Sequence, residues 1–196
     1  MLKVFMILIV SMAHCLSYSQ QSDLDIFNTK REKIDKDALK VLGAYSAANV
    51  IYGSIAASRA ANDDKYFHQM NAIWNGVTLG IAGIGYLSKK KQTNRSYIAS
   101  ARKQHSTEKL FLLNAGLDLA YFAAGAYMQE RSKTSTKNAA RLKGYGRSVM
   151  LQGAVLLVFD AALYGVHQHH GKKLGAIGSR LQLAATANGI GLQVSL

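Results

Sequence analysis

Four long stretches with almost no charge constrain the fold most strongly. They cover residues 41–58, 66–88, 110–129 and 148–168, and their lengths are 18, 23, 20 and 21 residues. A helix of about 20 residues crosses the apolar core of a bilayer. Proline is absent from the chain, which suits uninterrupted helices. We therefore predict an all-α fold, a four-helix membrane bundle. A water-soluble bundle of very apolar helices is the alternative.

The start of the chain has the pattern of a secretory leader. Lys3 precedes an apolar stretch at residues 4–12, and the small residues Ser17 and Ser19 follow it. We predict a signal peptide over residues 1–19. Its cleavage would remove Cys15, the single cysteine, and would exclude disulfides and thiol catalysis from the mature chain.

The remaining sequence divides by composition. Residues 20–40 are polar and mixed in charge, which predicts a solvated helix or arm. Residues 41–170 hold the four apolar stretches and form the predicted bundle. Residues 171–196 form a tail that ends in a predicted β-hairpin.

The formal net charge of +13 lies mostly between the apolar stretches, with its densest run at Lys89, Lys90 and Lys91. Nucleic acid is not expected as a partner because no reader motif is present, so the basic residues indicate lipid headgroups and membrane orientation. We therefore expect a membrane location. A cleaved leader would place 15 Lys and Arg residues outside and 8 inside, the reverse of the positive-inside rule, so the orientation stays open.

Polar side chains recur along one face of each apolar stretch. Tyr45, Asn49 and Tyr52 are spaced i, i+4, i+7, for example, and so lie on one side of a helix. In lipid such a stripe must face the bundle interior. The predicted intramembrane polar cluster consists of Asn49, Asn71, Asn75, Asn114, Asp118, Tyr121, Gln152 and Asp160.

The apolar stretches also suggest internal duplication and close packing. Asn49-Val-Ile-Tyr52 is similar to Asp118-Leu-Ala-Tyr121, which favours two α-hairpins of similar design, although short matches between membrane helices also arise by chance. In the second stretch, the glycines at positions 76, 80 and 83 are expected to let a neighbouring backbone come close.

The tail alternates with a period of two. Asn188-Gly189 is a strong two-residue turn signal. Folding the chain about it pairs only apolar residues on one face of a hairpin: Ala187 with Ile190, Ala185 with Leu192, Leu183 with Val194 and Leu181 with Leu196.

Three motifs in the predicted bundle resemble those of a family of small uncharacterised helical membrane or envelope proteins of Gram-negative bacteria. They are KYFHQMNAIWNG at residues 65–76, LNAGLDLAY at 113–121, and the glycine-rich stretch at 144–160. The resemblance covers roughly residues 38–170. It implies the helical architecture and no known activity, and with it we expect the membrane of a bacterial cell envelope, the inner rather than the outer.

Asp118 and Asp160 are the sharpest chemical candidates, because an ionised carboxylate inside a bilayer is costly unless it is paired. They either hydrogen-bond neighbouring polar groups and lock the bundle, or carry a proton or cation. His167, His169 and His170 favour a helix C-terminus more than a metal site, so we expect no metal and no cofactor.

No catalytic set is present, so we expect a non-enzymatic protein with a structural or interaction role. Its expected partners are the lipid bilayer and either a second copy in a homo-oligomer or another envelope protein. The alternatives are a small oligomeric transporter or channel component that uses Asp118 and Asp160, and a membrane-bound enzyme at the histidine-rich end.

Overall fold

Four α-helices make up nearly all of the described part of the chain. In the computed structural model the backbone is described for residues 2–88, 96–179, 183–186 and 189–192, and the side chains for 22–88 and 96–178. The elements are α1 (Leu2–Arg59), α2 (Asn62–Leu87), α3 (Tyr97–Ser132), α4 (Ala139–Ser179), β1 (Leu183–Thr186) and β2 (Gly189–Leu192). The prediction of an all-α fold is confirmed.

The turn between α1 and α2 is only two residues long. α1 ends at Arg59 and α2 begins at Asn62, whose φ of 51° is a left-handed conformation that asparagine adopts more readily than most residues. Asp63 and Asp64 lie in the first turn of α2, where their charge complements the positive end of the helix dipole. The two helices therefore form a tight α-hairpin.

The chain divides into two compact units. Unit 1 comprises Met1–Lys33, Lys91–Thr107 and Val166–Leu196. Unit 2 comprises Ile34–Lys90 and Glu108–Gly165. All of α2 and parts of the other three helices belong to unit 2.

Unit 1 contains a small apolar cluster. Leu24 and Phe27 from α1 pack with Leu174 from α4, and Tyr97 from α3 lies against them. The buried face continues along α1 to Arg31. Residues 20–40 were expected to be solvated, and this is wrong for one face of the segment. The mixed charges obscured apolar residues at helical spacing.

Unit 2 has its large apolar side chains on the outside. Twenty of them are exposed among the residues that the structure describes, including Leu87 (83%), Val158 (71%) and Ile84 (69%). Among the described residues of unit 2, the hydrophobic ones that are fully buried are Ala38, Ala82 and Val149. We call this exposed surface the apolar flank.

Among the described residues, two helices contain an 18-residue window long and apolar enough to cross a membrane. They are Tyr97–Ser132, with a mean hydropathy of 1.3, and Ala139–Gly178, with 1.8. Only 11% and 22% of these windows are buried. By length and composition alone, two such helices are weak support for membrane association.

Glycines let α3 and α4 approach closely. A Cβ added at Gly153 would lie 2.6 Å from the Phe122 nitrogen and 2.7 Å from the Asp118 carbonyl oxygen. Nothing lies within 4 Å of the corresponding positions at Gly76, Gly80 and Gly83. The expectation that those three glycines admit a neighbouring backbone is therefore wrong for the described chain, because they lie on the outer side of α2.

The two short strands pair in a register that differs from the expected one. Leu183 lies opposite Leu192 and Ala185 opposite Ile190, a shift of two residues. An even shift keeps the same residues on each face, so the alternation could not distinguish the two registers. The expected partners Leu181, Ala187, Val194 and Leu196 lie outside the described residues. The longer hairpin stays a prediction.

Candidate functional site

The interior of unit 2 is polar. Nine buried polar or charged residues lie there among the described residues, against three buried hydrophobic ones. The predicted cluster of eight residues falls into two groups, with one residue outside both.

The first group is a hydrogen-bonded network on α1, α2 and α4, which we call the amide network. Asn71 donates from Nδ2 to Oδ1 of Asn49 (3.1 Å), and Gln152 donates from Nε2 to Oδ1 of Asn71 (2.6 Å). Asn75 donates to the Asn71 carbonyl oxygen (2.9 Å). The Tyr45 hydroxyl donates to Oε1 of Gln152 (3.2 Å). The network thus links three helices through Asn71 and Gln152.

The second group joins α3 to α4, and we call it the acid pair. Asp118 and Asp160 are both buried and influence each other electrostatically, and Asn114 acts on Asp160 in the same way. Oδ2 of Asp118 is buried and has no hydrogen-bond partner among the described residues.

Helix packing brings the acid pair together. Gly153 lies on α4 against the backbone of Asp118 and Phe122 on α3. A side chain at Gly153 would push α3 away and separate the two carboxyl groups. Tight backbone contact therefore positions the pair.

Tyr121 is not part of either group. It is 39% exposed, and its ring meets Trp74 edge-on at 4.9 Å. Because Tyr121 follows Asp118 by three residues, helical spacing predicted that it would face the interior with Asp118. In the structure its side chain lies at the edge of the polar face and is partly exposed.

Sequence reasoning missed two fully buried hydroxyls, Ser46 and Ser148. Ser148 precedes Gln152 by one helical turn, and Ser46 precedes Asn49 by three residues, so helical spacing could have found both. Neither hydroxyl oxygen has a hydrogen-bond partner among the described residues.

Residues 59–67 and 129–147 form one end of unit 2, which we call the basic end. Contacts across it join α2 to α4, with Lys143 3.1 Å and Arg147 3.1 Å from Asp63. Lys143, helped by Arg147, lowers the pKa of Asp63 below its ordinary value. Eight cations lie here: Arg59, Lys65, Arg131, Lys133, Lys137, Arg141, Lys143 and Arg147. The acidic residues of the basic end are Asp63, Asp64 and Glu130.

The histidines near the end of α4 are placed separately in unit 1. His170 stacks on Phe27 (4.2 Å between ring centroids), and its Nε2 lies 3.0 Å from the Phe27 carbonyl oxygen. Gln104 donates to the His167 carbonyl oxygen (2.7 Å), whereas His169 is exposed. No group of three metal-ligating side chains occurs in the described part of the chain.

These features define an all-α protein whose larger unit has a polar interior, an apolar flank and a basic end. Residues 41–161 match a family of unknown function, DUF6992, and since this is more than half of the chain, the protein belongs to that family. The match includes all eight residues of the predicted cluster and confirms the expected membership of an uncharacterised family. No curated protein and no solved structure matches the chain.

Proposed function

We propose that the protein is an integral membrane protein of the Gram-negative bacterial envelope, with unit 2 in the bilayer and a structural or interaction role. The inverted composition of unit 2 is the observation that carries this proposal. In water, each exposed Leu, Ile or Val forgoes about 1.5–3 kcal/mol of burial energy, whereas hydrocarbon surroundings remove that cost. A polar interior beneath an apolar surface is the arrangement expected of helices in lipid.

The helices are long enough for this proposal. α2 has 26 residues and therefore spans about 39 Å, more than the roughly 30 Å that a bilayer core requires. α3 and α4 have 36 and 41 residues and carry the candidate spans. α1 continues well beyond the bilayer thickness in this arrangement.

The amide network supports a structural role. Hydrogen bonds between its side chains link α1, α2 and α4 and so stabilise helix association, while Oδ1 of Asn75 is buried without a partner among the described residues. In the proposal, the loops of the basic end and the C-terminal hairpin present surfaces to a partner.

Topology mapping tests the membrane proposal. We would fuse reporters after Ser88 and after Ser132, and extract the membranes with alkaline carbonate. The proposal expects the two reporters on opposite sides of the membrane and the protein in the carbonate-resistant fraction. Reporters on one side, or release by carbonate, would contradict it.

The acid pair favours a second function, proton or cation transport by an oligomer. Two buried carboxyl groups influence each other electrostatically, and no ion pair in the described part of the chain includes either of them. Such a pair can take up and release a proton. Four helices barely enclose a pathway, so transport would need a homo-oligomer.

Ion flux in proteoliposomes separates the two functions. The variants are Asp118→Asn and Asp160→Asn, with Asp37→Asn as control because Asp37 is exposed and pairs with Lys40. Transport predicts a proton or cation flux that either acid-pair variant abolishes while the control and the fold stay intact. A structural role predicts no flux and a similar loss of stability in both variants.

A further inference from the structure

The basic end keeps an excess of unpaired positive charge. Its three acids are all engaged, Asp63 and Asp64 by Arg147 and Glu130 by Lys133. Five cations remain with exposed side chains and no carboxylate partner among the described residues: Arg59, Lys65, Arg131, Lys137 and Arg141. Charge of this kind beside an apolar flank is complementary to an anionic membrane surface.

An open cavity of about 390 Å³ lies at this end of unit 2. It is lined by Tyr52, Ile55, Ala56, Arg59 and Ala60. Its walls are mainly apolar, and Arg59 supplies the single charged group. All five residues lie on one side of the last turns of α1 or just after its end, so the cavity opens to the surface.

We propose that this cavity binds an anionic phospholipid. An acyl chain lies against Tyr52 and Ile55, which continue the apolar flank, and the phosphate pairs with Arg59 at the end of α1. A free phosphate would leave the apolar walls uncovered, and a neutral lipid would leave the excess charge of the basic end uncompensated. The inference rests on the proposed membrane location and adds a ligand class to it.

Lipid binding by the purified full-length protein in neutral detergent tests the proposal. The probes are phosphatidylglycerol, phosphatidylcholine and inorganic phosphate, with affinities from native mass spectrometry or thermophoresis. We expect tight binding of phosphatidylglycerol only, and about a fivefold loss of affinity in Arg59→Gln. Ala60→Phe, which fills the cavity without changing charge, should weaken binding similarly, whereas Arg59→Lys should retain most of it.

The control is Arg102→Gln, which removes the same charge from unit 1 and should bind like the wild type. Equal affinity for phosphatidylcholine, binding of inorganic phosphate as tight as that of the lipid, or indifference to both Arg59→Gln and Ala60→Phe would overturn the proposal. Release of the protein from membranes by carbonate would instead overturn the membrane location itself, so the two failures are distinguishable.

Discussion

In unit 1, Leu24, Phe27 and Leu174 pack together in the interior, whereas in unit 2 the large apolar side chains lie on the surface. Unit 1 exposes three large apolar residues among those described, and unit 2 exposes twenty. Both units bury polar groups, so the difference lies in where the apolar side chains point. One chain thus combines a unit with an apolar cluster in its interior and a unit with most of its large apolar side chains on its surface.

The largest effect should come from opening the apolar cluster of unit 1. Phe27→Ala removes a ring that packs on Leu24 and His170, and should lower the free energy of unfolding by about 3–5 kcal/mol. The control is Ile26→Ala, because Ile26 is 64% exposed and should change stability little. Denaturant titration in detergent measures both. Similar effects in the two variants would show that unit 1 lacks an apolar core.

A methyl group at the α3–α4 contact should have the next largest effect. Gly153→Ala forces α3 and α4 apart and should cost about 1–3 kcal/mol of unfolding free energy. Gly76→Ala is the matched control, since nothing lies within 4 Å and alanine favours the helix by about 1 kcal/mol. If Gly153→Ala and Gly76→Ala changed the free energy of unfolding equally and in the same direction, the packing described for unit 2 would be contradicted.

Breaking the amide network should cost about 1–3 kcal/mol, because it leaves buried partners unsatisfied. Gln152→Leu removes the donor to Asn71 and the acceptor for Tyr45. Gln168→Leu, at an exposed position of α4, serves as the control. Thermal unfolding in detergent provides the comparison. A Gln152→Leu variant as stable as the wild type would show that the network does not hold the helices together.

The smallest effect concerns the ion pairs of the basic end. The folded-state pKa of Asp63 is lowered, so its stabilisation is present above the unfolded-state pKa and is lost as the pH falls through the folded-state value. Solvated pairs of this kind contribute less than about 1 kcal/mol. The difference in Tm between wild type and Asp63→Asn should therefore shrink on acidification. A difference that is constant or grows would contradict this account.

Helical spacing predicted which residues face the interior of unit 2, as for Asn49, Asn71 and Gln152. It could not predict that Asn71 bonds Gln152, because spacing defines a face and leaves the partner helix undetermined. The glycines show that sequence leaves the helix contacts undetermined. Gly76 and Gly153 each follow an amide residue of the polar face, yet of these two only Gly153 lies against another helix. The buried Arg31 was missed because mixed charge suggested solvent rather than a packed helix face.

Fluorescence of Trp74, the single tryptophan, tests the central claim that lipid covers the apolar flank of unit 2. Trp74 lies on α2 beside the exposed Ile73 and Val77. In vesicles, the account predicts strong quenching by lipids brominated along their acyl chains and little quenching by aqueous iodide. Strong quenching by iodide with none by the brominated lipids would contradict it.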